Sequence, residues 1–101
     1  MNKETIKKKK IRTECYDMRY SFIKWTNEHF KQYLKDSIKI VDLDYHKYEY
    51  NNKIYTQREI IERIIYLSNC LLSSNIILET DEKMHEEILD LFRLVYYSMW
   101  W

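Results

Sequence analysis

Apolar residues recur at helical spacing in three stretches of this chain and alternate only in a short section between the first two. From Cys15 to about Lys35, Met18, Phe22, Trp25, His29 and Tyr33 share one stripe, and Tyr16, Ile23, Phe30 and Leu34 share its neighbour. That spacing predicts a helix with a wide aromatic face, His29 being a hydrogen-bonded core residue on it. Asp36 and Ser37 end the helix without a glycine cap. In the second stretch, Gln57 to about Ser73, Ile60, Ile61, Ile64, Leu67, Ser68 and Leu71 face inward. Glu59, Glu62, Arg63, Tyr66 and Asn69 face outward. Glu59 precedes Arg63 by one turn, the favourable order for a surface pair. In the third, Met84, Ile88, Leu91, Phe92, Val95 and Met99 define an amphipathic helix that runs on to Trp101. Thr80 is its expected N-cap, with Asp81 and Glu82 at the positive end of the helix dipole.

Between the first two helices the period falls to two. Ile38 to Asp44 alternates weakly, with Val41, Leu43 and Tyr45 on one side, and reads as a short strand. Tyr45–Tyr50 and Lys53–Tyr55 flank Asn51-Asn52. Asparagine tolerates positive φ better than any residue but glycine, so the pair suits a two-residue hairpin turn. Register then sets Tyr48 opposite Tyr55 and Glu49 opposite Ile54. The following Thr56-Gln57-Arg58-Glu59 is a capping box, which starts the next helix at Gln57, with Tyr55 and Ile60 as its hydrophobic staple. Ser73, Ser74 and Asn75 break that helix, and Ile76, Ile77 and Leu78 read as an edge strand or a buried connector. The expected fold class is α+β: three helices packed on a short antiparallel β-hairpin, with a third short strand as an addition. One small domain spans 14–101, preceded by a basic N-terminal segment, 1–13.

Composition narrows the function more than any motif does. The 101 residues include no glycine, no proline and no alanine. A Walker loop, a dinucleotide-binding loop and a nucleophile elbow all need glycine where the backbone bends tightly or approaches a ligand, so their standard forms are excluded. Without alanine or glycine, helices cannot approach backbone to backbone, and the core must be built from Ile, Leu, Tyr, Phe and Trp. Ala, Gly and Pro also share G/C-rich codons, whereas Ile, Lys, Asn and Tyr are abundant, which points to an AT-rich genome. In this respect the chain is similar to accessory proteins of AT-rich viruses and phages, including small inhibitors of host defence; no motif carries that likeness.

Two cysteines, Cys15 and Cys70, are too few for a disulfide-built secreted domain of this size. Glu14 and Asp17 follow the Lys7–Lys10 run where a secretory leader would be apolar, and no apolar run is long enough to span a bilayer. An intracellular, cytoplasmic protein with reduced thiols is expected. The formal net charge of +1 is unevenly spread: residues 1–13 carry six Lys/Arg against one Glu, and residues 56–101 carry four Lys/Arg against eight Asp/Glu.

Four groups are candidates for chemistry or binding. Asp42 and Asp44, two apart on a strand, would share a face and could hold Mg²⁺ for phosphodiester hydrolysis, with Glu49 and Lys53 in support. The bland alternative is a solvated strand face. His29, His46 and His85 are isolated, and His85-Glu86 lacks the second His of a zinc helix, so no metal site and no cofactor is assigned. Lys7, Lys8, Lys9, Lys10 and Arg12 could contact nucleic-acid phosphates, with Arg19, Tyr20, Lys24 and Trp25 adding cations and stacking surfaces, or could form a solubilising tail. Tyr97, Trp100 and Trp101 form a terminal aromatic cluster of the kind enriched at interface centres, or they pack into the core. Together these favour a non-enzymatic interaction protein, an inhibitor or adaptor that binds a protein or nucleoprotein complex through Tyr97, Trp100 and Trp101, with a homodimer as a further form. Nucleic-acid binding through the basic segment is the second expectation, and a metal-dependent phosphodiesterase the third.

Overall fold

The computed structural model describes residues 3–73 and 79–99. Ile76, Ile77 and Leu78, expected as an edge strand or connector, lie outside the described residues. The hairpin follows the sequence closely. Strands β1 (Lys47–Tyr50) and β2 (Lys53–Thr56) pair antiparallel, Tyr48 facing Tyr55 and Glu49 facing Ile54. Asn51 and Asn52 adopt φ of 51° and 64°, the left-handed pair that a two-residue turn matching the strand twist requires. The capping box is formed in both directions. The Glu59 amide donates to Thr56 Oγ1 at 3.2 Å, and the Thr56 amide donates to Glu59 Oε1 at 2.9 Å. Helix α3 accordingly runs Gln57–Ser73; its next amides, Gln57 N and Arg58 N, donate to the carbonyls of His46 and Leu43.

Four α-helices are described. Helix α1 (Lys3–Glu14) has no buried residue; a short 3₁₀ turn, Cys15–Asp17, joins it to α2 (Met18–Ser37). Asp17 breaks the two apart: its carboxylate accepts the Tyr20 amide at 3.0 Å as the N-cap of α2. Helix α4 (Glu79–Val95) completes the set. The fold is therefore α+β, three packed helices on a two-stranded hairpin. Helix α3 packs on α2, α4 and β2. Ile23 and Phe30 of α2 meet Ile60, Ile61, Ile64 and Leu67 of α3 and Ile88, Leu91 and Val95 of α4, with Leu43 from the loop. Each such side chain, once removed from water, contributes about 1.5–3 kcal/mol. Phe92 lies against Phe22 and Phe30 with ring centroids 5.9 and 5.4 Å away, so large rings fill the α2–α4 contact that smaller residues would have brought closer.

Several expectations need correction. Ile38 to Asp44 is a series of turns, not a strand, and the described sheet has two strands only. Alternation there reflects two inward anchors, buried Leu43 and partly buried Val41, while Tyr45 is exposed. Helix α4 begins at Glu79, which puts Thr80 inside the helix rather than at its cap, and it gives way at Val95 to a 3₁₀ turn, Tyr96–Ser98, short of Trp101. Glu59 is committed to the capping box, so Arg63 pairs instead with Glu87 of α4 at 2.7 Å. That carboxylate, with the hydrogen bond it accepts, raises the Arg63 pKa further.

The inner arc of α2 also differs from its apolar stripe. Thr26 and Asn27 are buried, whereas Met18 and Trp25 are exposed. Asn27 Nδ2 donates to Ser68 Oγ and Asn69 Oδ1, both at 2.8 Å, which makes a polar link between α2 and α3. A second link closes the C-terminal end. Buried Gln57 donates to the Ser98 carbonyl at 3.1 Å, and Tyr48 donates its hydroxyl proton to Ser98 Oγ at 2.6 Å. Tyr33 lies beside Gln57, and its burial raises its pKa.

Candidate functional site

The segment after Val95 is fixed by Ser98, and that anchoring decides which aromatic groups stay outside. Tyr96 and Tyr97 meet edge to face at 5.1 Å, and Tyr97 is 83 % exposed. Tyr97 therefore occupies the surface. Trp100 and Trp101 lie outside the described residues.

Beside this turn, α2 and α4 leave a groove of about 370 Å³. Its walls are Trp25, His29, Phe30 and Tyr33 from α2, with Phe92, Tyr96 and Met99 opposite; Gln32 stands among them. No Asp, Glu, Lys or Arg is among them. His29 is not the core residue expected. It is exposed, and its ring stacks on Trp25 at 4.2 Å and 20°. Its Nδ1 lies 2.8 Å from the Trp25 carbonyl, which only accepts, so Nδ1 carries the proton. The stack holds the indole as a flat, half-exposed wall. From the sequence, Trp25 is expected as a stacking surface for nucleic acid, whereas nothing there marks His29 and Tyr96 as binding residues. Apolar periodicity assigned the Trp25 stripe to the core because Thr26 and Asn27, the polar residues that occupy the inner arc, do not count as apolar.

Trp25 also borders a second groove of about 460 Å³ at the junction of α1 and α2. Lys10, Tyr20 and Lys24, expected for phosphate contact and stacking, line it together with Tyr16, but so do Glu14, Asp17 and Glu28. The three carboxylates leave this junction without a positive balance. The basic residues Lys7, Lys8, Lys9, Lys10 and Arg12 all fall within α1 and are all exposed. They lie on a helix that buries none of its residues, the exposed-helix alternative to a frayed tail.

Asp42 and Asp44 do not share a strand face. Asp42 Oδ1 accepts the amide of Asp44 at 3.0 Å, a local turn bond, and Asp44 pairs with Arg58 at 3.1 Å. Both carboxylates are occupied in holding the loop over the start of α3. Glu49 and Lys53 lie on the hairpin, at positions outside this turn. Among the described residues, no three His, Cys, Asp or Glu side chains converge as a metal-ligand set. A cleft of about 550 Å³ between the hairpin and helices α3 and α4 gathers Glu59, Glu62 and Glu87 around Arg63. At its edge, burial and neighbouring Asp90 raise the Tyr50 pKa, and Tyr50 donates to Asp90 at 3.3 Å. Among the described residues no helix is long and apolar enough to cross a membrane. No family model matches the chain, and neither the curated proteins nor the solved structures include a significant match to it.

Proposed function

We propose that this protein is a non-enzymatic interaction module, an inhibitor or adaptor, that binds another protein through the aromatic groove between α2 and α4. The observation that carries this reading is the groove's makeup. It combines Trp, Tyr, Phe and Met, contains no Asp, Glu, Lys or Arg, and is bordered by exposed Tyr97. Charge depletion together with aromatic and Met enrichment distinguishes the centre of a protein interface from ordinary surface. The neighbouring hairpin cleft, with its three carboxylates, lacks that character. The occupant is an apolar segment of a partner protein, seated against the Trp25–His29 stack. Trp100 and Trp101, which follow Met99 in the sequence, remain candidate partner-binding residues in this reading.

Affinity capture from native host cells, followed by nuclease treatment, tests it. The complex should survive the nuclease and be lost with Trp25→Ser/Tyr96→Ser, while each substitution shifts stability by no more than about 0.5 kcal/mol, the usual range for exposed sites. A complex that dissolves on nuclease treatment, or that the double variant retains, overturns the reading. If ultracentrifugation shows a dimer that the same variant dissociates, the groove's occupant is a second copy of the chain instead.

A further inference from the structure

Helix α1 presents six cationic side chains and two acidic ones along twelve residues, with none of them buried. At about 100° per residue five of the six cations sort into two rows, and Lys9 falls outside both. Lys3, Lys7 and Lys10 make one, Lys8 and Arg12 the other, and their centres lie roughly 150° apart around the helix. Ile6 and Ile11 fall on different sides, so α1 has no apolar stripe. This excludes an interfacial membrane helix, which needs one apolar face to insert and one basic face to meet headgroups. A flat anionic surface would reach only one of the two rows. A channel walled by phosphates on both sides reaches both.

We infer that α1 binds double-stranded DNA by lying in the major groove, one cationic row toward each phosphate backbone. The groove is about 12 Å wide and admits an α-helix with its side chains, roughly 10–12 Å across. The helix is about 18 Å long, so its contacts span several phosphates on each strand. Contact is to phosphates and therefore indifferent to sequence. Single-stranded nucleic acid fits less well, because the stacking residues Tyr16, Tyr20 and Trp25 stand beside Glu14, Asp17 and Glu28, which repel a phosphate chain. DNA also supplies what α1 lacks. Neighbouring cations at Lys3–Lys7, Lys7–Lys10 and Lys8–Arg12 oppose the helix, only partly offset by Glu4 and Glu14, and no core contact compensates. Phosphates between the rows remove that repulsion, so DNA binding and α1 helicity rise together. This surface is separate from the α2–α4 groove and stands or falls independently of it.

Fluorescence anisotropy with labelled duplexes of unrelated sequence provides the test. Five phosphate contacts give a slope of log affinity against log salt of about −4.5, a loss of roughly five-hundred-fold between 50 and 200 mM. Lys8→Gln/Arg12→Gln should lower that loss to roughly forty-fold, and Lys3→Gln/Lys7→Gln/Lys10→Gln to roughly twelve-fold. Circular dichroism should show added helix on binding, and both variants should melt with the wild type. Absence of duplex binding at 50 mM salt overturns the inference. So does a silent row, equal affinity for single strands of the same length, or equal affinity for vesicles containing phosphatidylserine.

Discussion

Thr56 and Glu59 show how much of this fold is decided by single polar atoms. Each satisfies the other's amide at the point where the hairpin becomes a helix, so one residue pair fixes both the end of β2 and the direction of α3. Thr56→Ala removes the hydroxyl acceptor and should cost about 1 kcal/mol in denaturant melts. An unchanged midpoint would mean that the loop carbonyls of His46 and Leu43 alone set the start of α3. Thr26 presents the opposite case. Its side chain is fully buried at the centre of α2, and its hydroxyl finds no hydrogen-bond partner among the described residues. A buried hydroxyl without a partner carries a desolvation penalty of about 1–3 kcal/mol. Thr26→Val keeps the shape and removes that penalty, so it should leave stability unchanged or raise it. A loss above about 1 kcal/mol would show that the hydroxyl is satisfied in solution, by water or by its own helix.

At the scale of elements, α4 is tied to its neighbours by groups that titrate. His85 lies on α4 toward the start of α2. Burial lowers its pKa below 6.5, and the positive charge of Arg19 lowers it further, against the smaller opposing pull of Asp81 and Asp17. The unfolded chain therefore takes up this proton before the folded one does. Stability is intact above about pH 6.5 and falls as the pH drops through and below that value. Thermal melts from pH 7.5 to 5 should show this decline, and His85→Gln should flatten it; an equally steep decline in the variant would assign the effect to other groups. The elements differed in how far the sequence disclosed them, for physical reasons. The hairpin, the capping box and α3 were legible because each depends on residues within a few positions, Asn51 and Asn52 for the turn and Thr56 and Glu59 for the cap. The inner faces of α3 and α4 were legible because Ile and Leu mark them. The loop from Ile38 to Asp44 was not, because Leu43 is drawn inward by tertiary packing and Arg58 holds Asp44 from a distance. The buried arc of α2 was hidden for the same reason: Asn27 belongs in the core only because Ser68 and Asn69 are there to receive it. Trp25 and His29 could have been placed at the margin of α2 only once that arc was known.

On the scale of the whole molecule, the division of charge matters more than its sum. The net charge is +1, close to the condition in which proteins attract one another, yet residues 1–13 are strongly basic and residues 56–101 acidic. The acidic half includes exposed Glu82 and Glu86 on the outer face of α4. Helix α1 buries none of its residues in its own domain, so its charge is open to the acidic half of another copy. Such head-to-tail contact acts through solvent and is screened once the Debye length, about 10 Å at 0.1 M salt, falls below the distances involved. Concentrated protein should therefore self-associate at about 20 mM salt and disperse at about 150 mM, as read by light scattering or sedimentation. Deleting residues 1–13 removes six cations and one carboxylate, which takes the net charge from +1 to −4. The shortened chain should stay dispersed at both salt concentrations, because its copies then repel one another. If it still associates, and does so equally at high salt, the attraction is apolar. The exposed aromatic groups at Trp25, Tyr96 and Tyr97 are then its source, and Trp25→Ser/Tyr96→Ser should abolish it where the deletion did not.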